Sequence, residues 1–303
     1  MEHNHQQFGD NSKELKDRIA AVHTKKFVRY TAAGEILDCF DELFTLPGSV
    51  HQNYILTAPT GNGKTTLAEY FLKSNPLELQ AGADTACLPI AYMKMPEKAR
   101  VGAFANRLLE SLMQSCGANM PHDERMHIAR TLLKSLGTKI LIIDEFQQLN
   151  TGSVTERAAM RNVVKELAEY CDLSIIGVGM PVSLGVIASE PQLARRFEPL
   201  VLPLWQCDDE GKSLLCALEA QLPLEMPSNL GGNAKLAEAI IDMTEGIFDY
   251  INKLVDKAAI VAIRTGKEKI DLTLLKSLKW VKPSNRPKAA AHAMGYNARD
   301  VGI

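Results

Sequence analysis

Apolar residues in this chain follow two rhythms: short solid runs, and longer stretches in which they recur every three or four positions. Solid runs begin at Tyr54 and occupy Cys87–Met93, Lys139–Asp144 and Leu173–Val178, with a shorter one at Pro199–Pro203. Periodic stretches alternate with them. Ala32, Ala33, Ile36, Leu37, Phe40, Leu43 and Phe44 share one helical face within 31–45. Further helices are predicted up to residue 74 after the first run, then over Val101–Met113, Glu124–Leu136 and Thr155–Cys171. Strands that read as apolar throughout are buried on both faces, and their alternation with amphipathic helices predicts an α/β fold with a parallel sheet. From Asp208 to Leu278 the pattern is helical, broken at Pro223, Pro227 and Gly231-Gly232. The expected organisation is a polar, loosely ordered extension over 1–25, an α/β domain over 26–205, a helical domain over 206–280 and a basic tail over 281–303.

Two of the solid runs end in chemistry. The first leads into Ala58-Pro-Thr-Gly-Asn-Gly-Lys-Thr-Thr66, the P-loop pattern G-x-x-x-x-G-K-[ST] with Ala58 at its first position. That residue ends a strand and needs no positive φ. Gly61 and Gly63 allow backbone N–H groups to wrap a phosphate, with Thr60, Asn62 and Thr66 completing the cradle. Lys64 then neutralises β- and γ-phosphate charge, the Thr65 hydroxyl ligates Mg²⁺, and the helix N-terminus adds its partial positive charge. The alternative, an ordinary Gly-rich loop, does not explain strand, loop, Lys-Thr and helix in this order. The expected cofactors are therefore ATP and Mg²⁺. The third run ends in Asp144-Glu145, at the carboxyl end of a strand, where α/β sheets place their ligands. Asp144 is positioned to hold the metal and Glu145 to polarise an attacking water, so hydrolysis fits better than binding alone.

Bulk properties narrow the class. The 303 residues, 46% of them hydrophobic, suffice for a large α/β domain and a smaller one. No run approaches the about 18 apolar residues of a membrane span, and the polar N-terminus carries no apolar secretion segment. Cys39, Cys87, Cys116, Cys171, Cys207 and Cys216 lack C-x-x-C spacing and read mostly as reduced core thiols, which predicts a cytoplasmic protein. The seven histidines make no metal-ligand spacing. A net charge of −2 argues against a globally basic nucleic-acid binder but leaves room for a local basic surface.

Several blocks resemble one family, the TniB/TnsC ATPases of Tn-seven-like and TniA-TniB-TniQ transposons. They are Ala58–Thr65, Leu141-Ile-Ile-Asp-Glu-Phe146, Ile175-Ile-Gly-Val-Gly179 and, most specifically, Gln192-Leu-Ala-Arg-Arg-Phe-Glu-Pro-Leu200 with Leu202-Pro-Leu-Trp205. The resemblance, from about residue 25 to 265, implies an AAA+ P-loop NTPase with a C-terminal helical lid. It implies an ATP-dependent regulator of DNA transposition that forms a homo-oligomeric ring or helical filament on double-stranded DNA. Its implied partners are a DDE transposase and a TniQ-like targeting protein. In AAA+ proteins an Arg before the last strand reaches a neighbouring subunit's nucleotide as an arginine finger, which points to Arg196, with Arg195 as the fallback. Two departures stand out. The end of the fourth strand, where a polar sensor is usual, reads Gly177-Val-Gly-Met180, leaving Ser183 as a substitute. In the lid, Asp249 stands near the usual Arg, with Lys253 one turn on as the candidate nucleotide contact.

The resemblance also implies a DNA-facing surface made by 93–100 and 150–157. Lys94, Lys98 and Arg100 are the candidate phosphate contacts, supported by Thr151, Ser153 and Arg157; a solvated helix start remains the plainer reading. From Lys276 onward, Lys276, Lys279, Lys282, Arg286, Lys288 and Arg299 face the single acid Asp300, while Pro283 and Pro287 discourage helix. Such a tail is either a disordered solubilising segment or a docking peptide. Two other functions share the nucleotide motifs: a helicase-loader or replication-initiator ATPase, and an ATP-switched scaffold without nucleic acid.

Overall fold

The structure, a computed structural model, describes residues 14–23, 28, 30–46, 52–76, 87–115, 117 and 120–296. Two compact units emerge: Ala32–Pro203, and a second built from the residues up to Thr31 together with Leu204–Ile303. Helix α1 (residues 14–22) belongs to the second unit.

The first unit is a five-stranded, all-parallel sheet. In chain order come α2 (Thr31–Glu42), β1 (Asn53–Thr57), α3 (Lys64–Ser74), β2 (Ile90–Lys94), α4 (Val101–Ser111) and α5 (His122–Ser135). Then follow β3 (Ile140–Asp144), a 3-10 turn at Phe146–Asn150, α6 (Val154–Cys171), β4 (Ser174–Gly179), α7 (Val182–Ala188), α8 (Pro191–Ala194) and β5 (Phe197–Val201). The sheet order is β2-β3-β4-β1-β5. Every residue of β1, β3 and β4 is buried, so both faces of these central strands are covered, as their solid apolar runs require. Phe104, Leu108, Leu133, Leu141, Ile143, Phe146, Leu167 and Ile175 build the main core. Helix α2 adds Phe40, whose ring packs edge-on against Phe71 of α3 at 5.2 Å. Register aligns Thr57 with Gly179, and Asp144 with Val178. The carboxyl ends of β1, β4 and β3 therefore lie side by side, which carries the P-loop and the paired acids to one edge.

Two strands begin elsewhere than their composition suggests. β2 starts at Ile90, three residues after Cys87, and β5 starts at Phe197 and ends before Leu202, because pairing with β1 from Asn53 onward sets its span.

The second unit is helical: α9 (Asp209–Glu219), α10 (Ala234–Thr244), α11 (Phe248–Arg264), α12 (Leu272–Ser277) and α13 (Arg286–Ala293). Its core collects Leu215, Ile240, Ile251, Leu254, Ala258 and Leu275, and Trp205 stacks edge-on with Tyr30 at 4.5 Å. Two expectations change here. Residues 14–22 of the supposed loose extension are helical, with Val22 in this core, while residues 1–13 lie outside the described residues. Arg18 fastens the helix: its Nη2 donates to Glu268 Oε2 at 2.5 Å and to the Pro223 carbonyl at 2.8 Å. That guanidinium holds the Glu268 carboxyl below the usual carboxylate range. The tail also folds as far as residue 296. Pro287 sits in the first turn of α13, where a missing N–H is harmless, so it does not oppose that helix. Lys282 pairs with Asp242 at 2.6 Å, and the Arg286 guanidinium lies over both Tyr250 and Trp280. Arg299 lies outside the described residues. Of the described cysteines only Cys171 is buried; Cys39, Cys87 and Cys207 are half-exposed and Cys216 is exposed. No helix among the described residues is long and apolar enough to cross a membrane.

Candidate nucleotide site

The loop after β1 has the shape its glycines allow. Gly61 and Gly63 take φ of 80° and 86°, and α3 opens at Lys64. Asn62 is buried and reaches away from the loop: its Nδ2 donates to the carbonyls of Leu202 and Pro203, at 3.2 and 2.8 Å. Asn62 thereby ties the loop to the chain leaving β5, a structural part its place in the motif did not reveal. Lys64 Nζ donates to the carbonyls of Ala58 and Pro59, at 2.7 and 3.0 Å, so the ammonium lies within the arch of the loop. Burial pushes the Lys64 ammonium below its ordinary pKa, against the opposing charges of Asp144 and Glu145. Thr60 and Thr66 are exposed on the rim.

Strand β3 delivers its acids to the same place. Asp144 is 2% exposed, and its Oδ2 accepts from Thr65 Oγ1 at 3.0 Å and from the Tyr92 hydroxyl at 2.9 Å. The backbone N–H of Glu145 donates to Asp144 Oδ1 at 2.8 Å. A buried carboxylate beside a threonine hydroxyl is an all-oxygen donor set, and it fits Mg²⁺. Burial, and secondarily the Asp144 charge, raise the Tyr92 phenol well above its ordinary pKa, so it stays a donor to that carboxylate. Tyr92 escaped sequence reasoning. It alternates onto the face of β2 that Asp144 shares on β3, but this matters only once β2 and β3 are known to be neighbours. Glu145 takes φ of 58°, uncommon for a side-chain-bearing residue, and its carboxylate accepts from Gln147 Nε2. Ser183, the suggested sensor substitute, is buried and donates to Gln147 Oε1 at 3.4 Å.

The profile of the bacterial TniB protein family matches residues 18–207, nearly two-thirds of the chain and the whole of the α/β unit. The chain belongs to the TniB family. Solved structures share the fold at low identity. The ORC1 protein of Aeropyrum pernix, in complex with DNA, superposes with a TM-score of 0.61 at 15% identity, covering 86% of this chain and 68% of its own. ORC2 of the same organism, in ADPNP-ADP complexes, gives 0.59 at 16%, covering 84% and 70%. RuvB of Thermotoga maritima gives 0.52 at 18%, covering 88% and 82%. Among curated proteins none matches. The chain shares the α/β fold of these ORC and RuvB proteins.

The remaining candidates of this TniB family member are distributed unevenly. Arg196 ion-pairs with Glu169 on α6, whereas Arg195 is exposed and makes no ion pair among the described residues. Arg196 directly precedes β5 and faces back onto α6, so of the two guanidinium groups Arg195 is the one without an ion pair among the described residues. Lys253 lies in the helical unit, where it pairs with Asp249 and sits 5.5 Å from the Tyr250 ring centroid.

Segments 93–100 and 150–157 do meet. Thr151 Oγ1 accepts from the Ala99 N–H at 3.2 Å and donates to the Gln148 carbonyl at 2.7 Å. Ser153 and Glu156 form a reciprocal capping box at the start of α6, and Arg100 Nε donates to Glu156 Oε1 at 2.9 Å. Arg157 Nη1 reaches Asn150 Oδ1 at 3.5 Å. Lys94 and Lys98 are exposed without an ion pair among the described residues.

Proposed function

We propose that this protein is an ATP-dependent regulator of DNA transposition. It assembles as a ring or helical filament on duplex DNA and links a TniQ-like target-selection factor to a DDE transposase. The observation that carries this reading is the TniB family match across the whole α/β unit. In the proposed cycle Gly61, Gly63 and the start of α3 cradle the phosphates, Lys64 neutralises them, and Thr65 with Asp144 holds Mg²⁺. When bound there, Mg²⁺ would supply charge neutralisation to the phosphates. Glu145 polarises the attacking water, and Arg195 serves the nucleotide of the adjoining subunit. Lys94 and Lys98 are the principal DNA contacts, with Arg100 and Arg157 as second contributors. The likeness of the fold to a DNA-bound ORC1 is compatible with duplex binding.

Electron microscopy of the protein with duplex DNA and a non-hydrolysable ATP analogue tests the assembly: rings or filaments form only with both ligands. Co-precipitation then separates the partners, since capture of a DDE transposase supports the reading. Capture of a replicative helicase in its place favours a helicase loader. Assembly and hydrolysis indifferent to DNA would favour a scaffold. Glu145→Gln leaves nucleotide affinity unchanged and lowers hydrolysis by about 10²-fold or more, the usual scale for losing a general base. Hydrolysis at the parent rate would remove Glu145 from the mechanism.

A further inference from the structure

Gln147 joins three parts of the site through one amide. Its Nε2 donates to Glu145 Oε2, while its Oε1 accepts from the Met180 backbone N–H at 3.2 Å and from Ser183 Oγ at 3.4 Å. A backbone N–H can only donate and a carboxylate can only accept, so the orientation of this amide is determined. The turn it grips also touches the P-loop, where Thr60 Oγ1 lies 3.4 Å from Met180 Sδ.

Residue 179 makes the junction possible. A Cβ there would lie 2.2 Å from Ser183 Oγ and 2.7 Å from Gln147 Oε1. The end of β4 offers no side chain, and Gln147 fills that space from the loop after β3. Glu145, meanwhile, has a left-handed backbone and follows directly on the buried Asp144, and the donor its carboxylate meets is Gln147 Nε2.

We propose that Gln147 is the positioning residue for Glu145. It fixes the carboxylate through Nε2 and couples that orientation, through the Gly179–Ser183 turn, to Thr60 on the P-loop. The polar contact missing from the end of β4 is thus supplied from the 3-10 turn that follows β3. This rests on the reading of Glu145 as the group that polarises water, because a positioning residue matters only through the group it holds.

The test measures hydrolysis, nucleotide affinity and thermal unfolding of the full chain for Gln147→Ala, the near-isosteric Gln147→Met, Glu145→Gln and the double variants. Misplacing a catalytic group by about 1 Å costs on the order of 10²-fold, so loss of one orienting bond is expected to lower kcat by about 10-fold or more. KM for ATP stays within about twofold and the melting temperature of Gln147→Met stays at the parent value. In the Glu145→Gln background the same substitutions leave the residual single-turnover rate unchanged, since the group they act through is gone. Parent-like kcat in Gln147→Met, a matching loss of nucleotide affinity, or a loss that persists in the Glu145→Gln background each overturns the assignment while leaving Glu145 intact. Parent-rate hydrolysis by Glu145→Gln itself overturns the underlying reading and this inference with it.

Discussion

The two candidate surfaces of the α/β unit use their polar atoms in opposite ways. At the nucleotide end, Lys64 and Thr65 at the start of α3 converge with Asp144 and Glu145 at the end of β3, and Thr65 Oγ1 donates directly to Asp144. At the surface made by 93–100 and 150–157 the segments also converge, but their polar groups are largely consumed locally. Thr151 bonds backbone, Ser153 caps α6, and Arg100 pairs with the same Glu156 that completes the cap. Motif residues at strand ends are presented to a ligand by sheet register. Hydroxyls near a helix start are claimed first by the orphan N–H groups of that helix.

The largest effect is expected where convergence is tightest. Lys64→Ala leaves the β- and γ-phosphate charge to backbone dipoles and abolishes nucleotide binding, read by a fluorescent ATP analogue; retained affinity would break the nucleotide half of the contrast. Next comes the finger. In trans such an Arg contributes about 10³–10⁵ in rate in favourable cases. Arg195→Ala is expected to suppress DNA-stimulated hydrolysis and to be rescued by mixing with Lys64→Ala subunits, since each supplies the half-site the other lacks. Arg196→Ala loses only the Glu169 pair and changes stability by about 1 kcal/mol or less. The reverse outcome restores Arg196 as the finger.

Smaller effects sharpen the other surface. Log affinity for duplex falls with log salt by roughly 0.9 per phosphate neutralised. Replacing Lys94 and Lys98 together with Ala flattens that slope, weakening all sequences equally; an unchanged slope moves the DNA surface to the basic segment after Lys276. The smallest effect belongs to Ser153→Ala, which removes a cap worth about 1 kcal/mol and lowers the melting temperature without altering the salt slope. A changed slope with unchanged stability would mean the hydroxyl meets phosphate after all.

Amino-acid order by itself determined the alternation of buried strands and helices, the P-loop and the strand-end acids, because burial on both faces and left-handed glycines leave marks within a few residues. The family match bears out the resemblance carried by those blocks. Which neighbours those residues meet is set by the sheet order and the helix packing. Tyr92 reaches Asp144 because β2 lies beside β3, and Gln147 reaches Met180 because β4 lies beside β3. Helix α1 is held by Glu268, and Arg196 by Glu169 on α6. Each of these is a contact between segments far apart in the chain, and the periodicity of either segment records which face is buried but not what buries it.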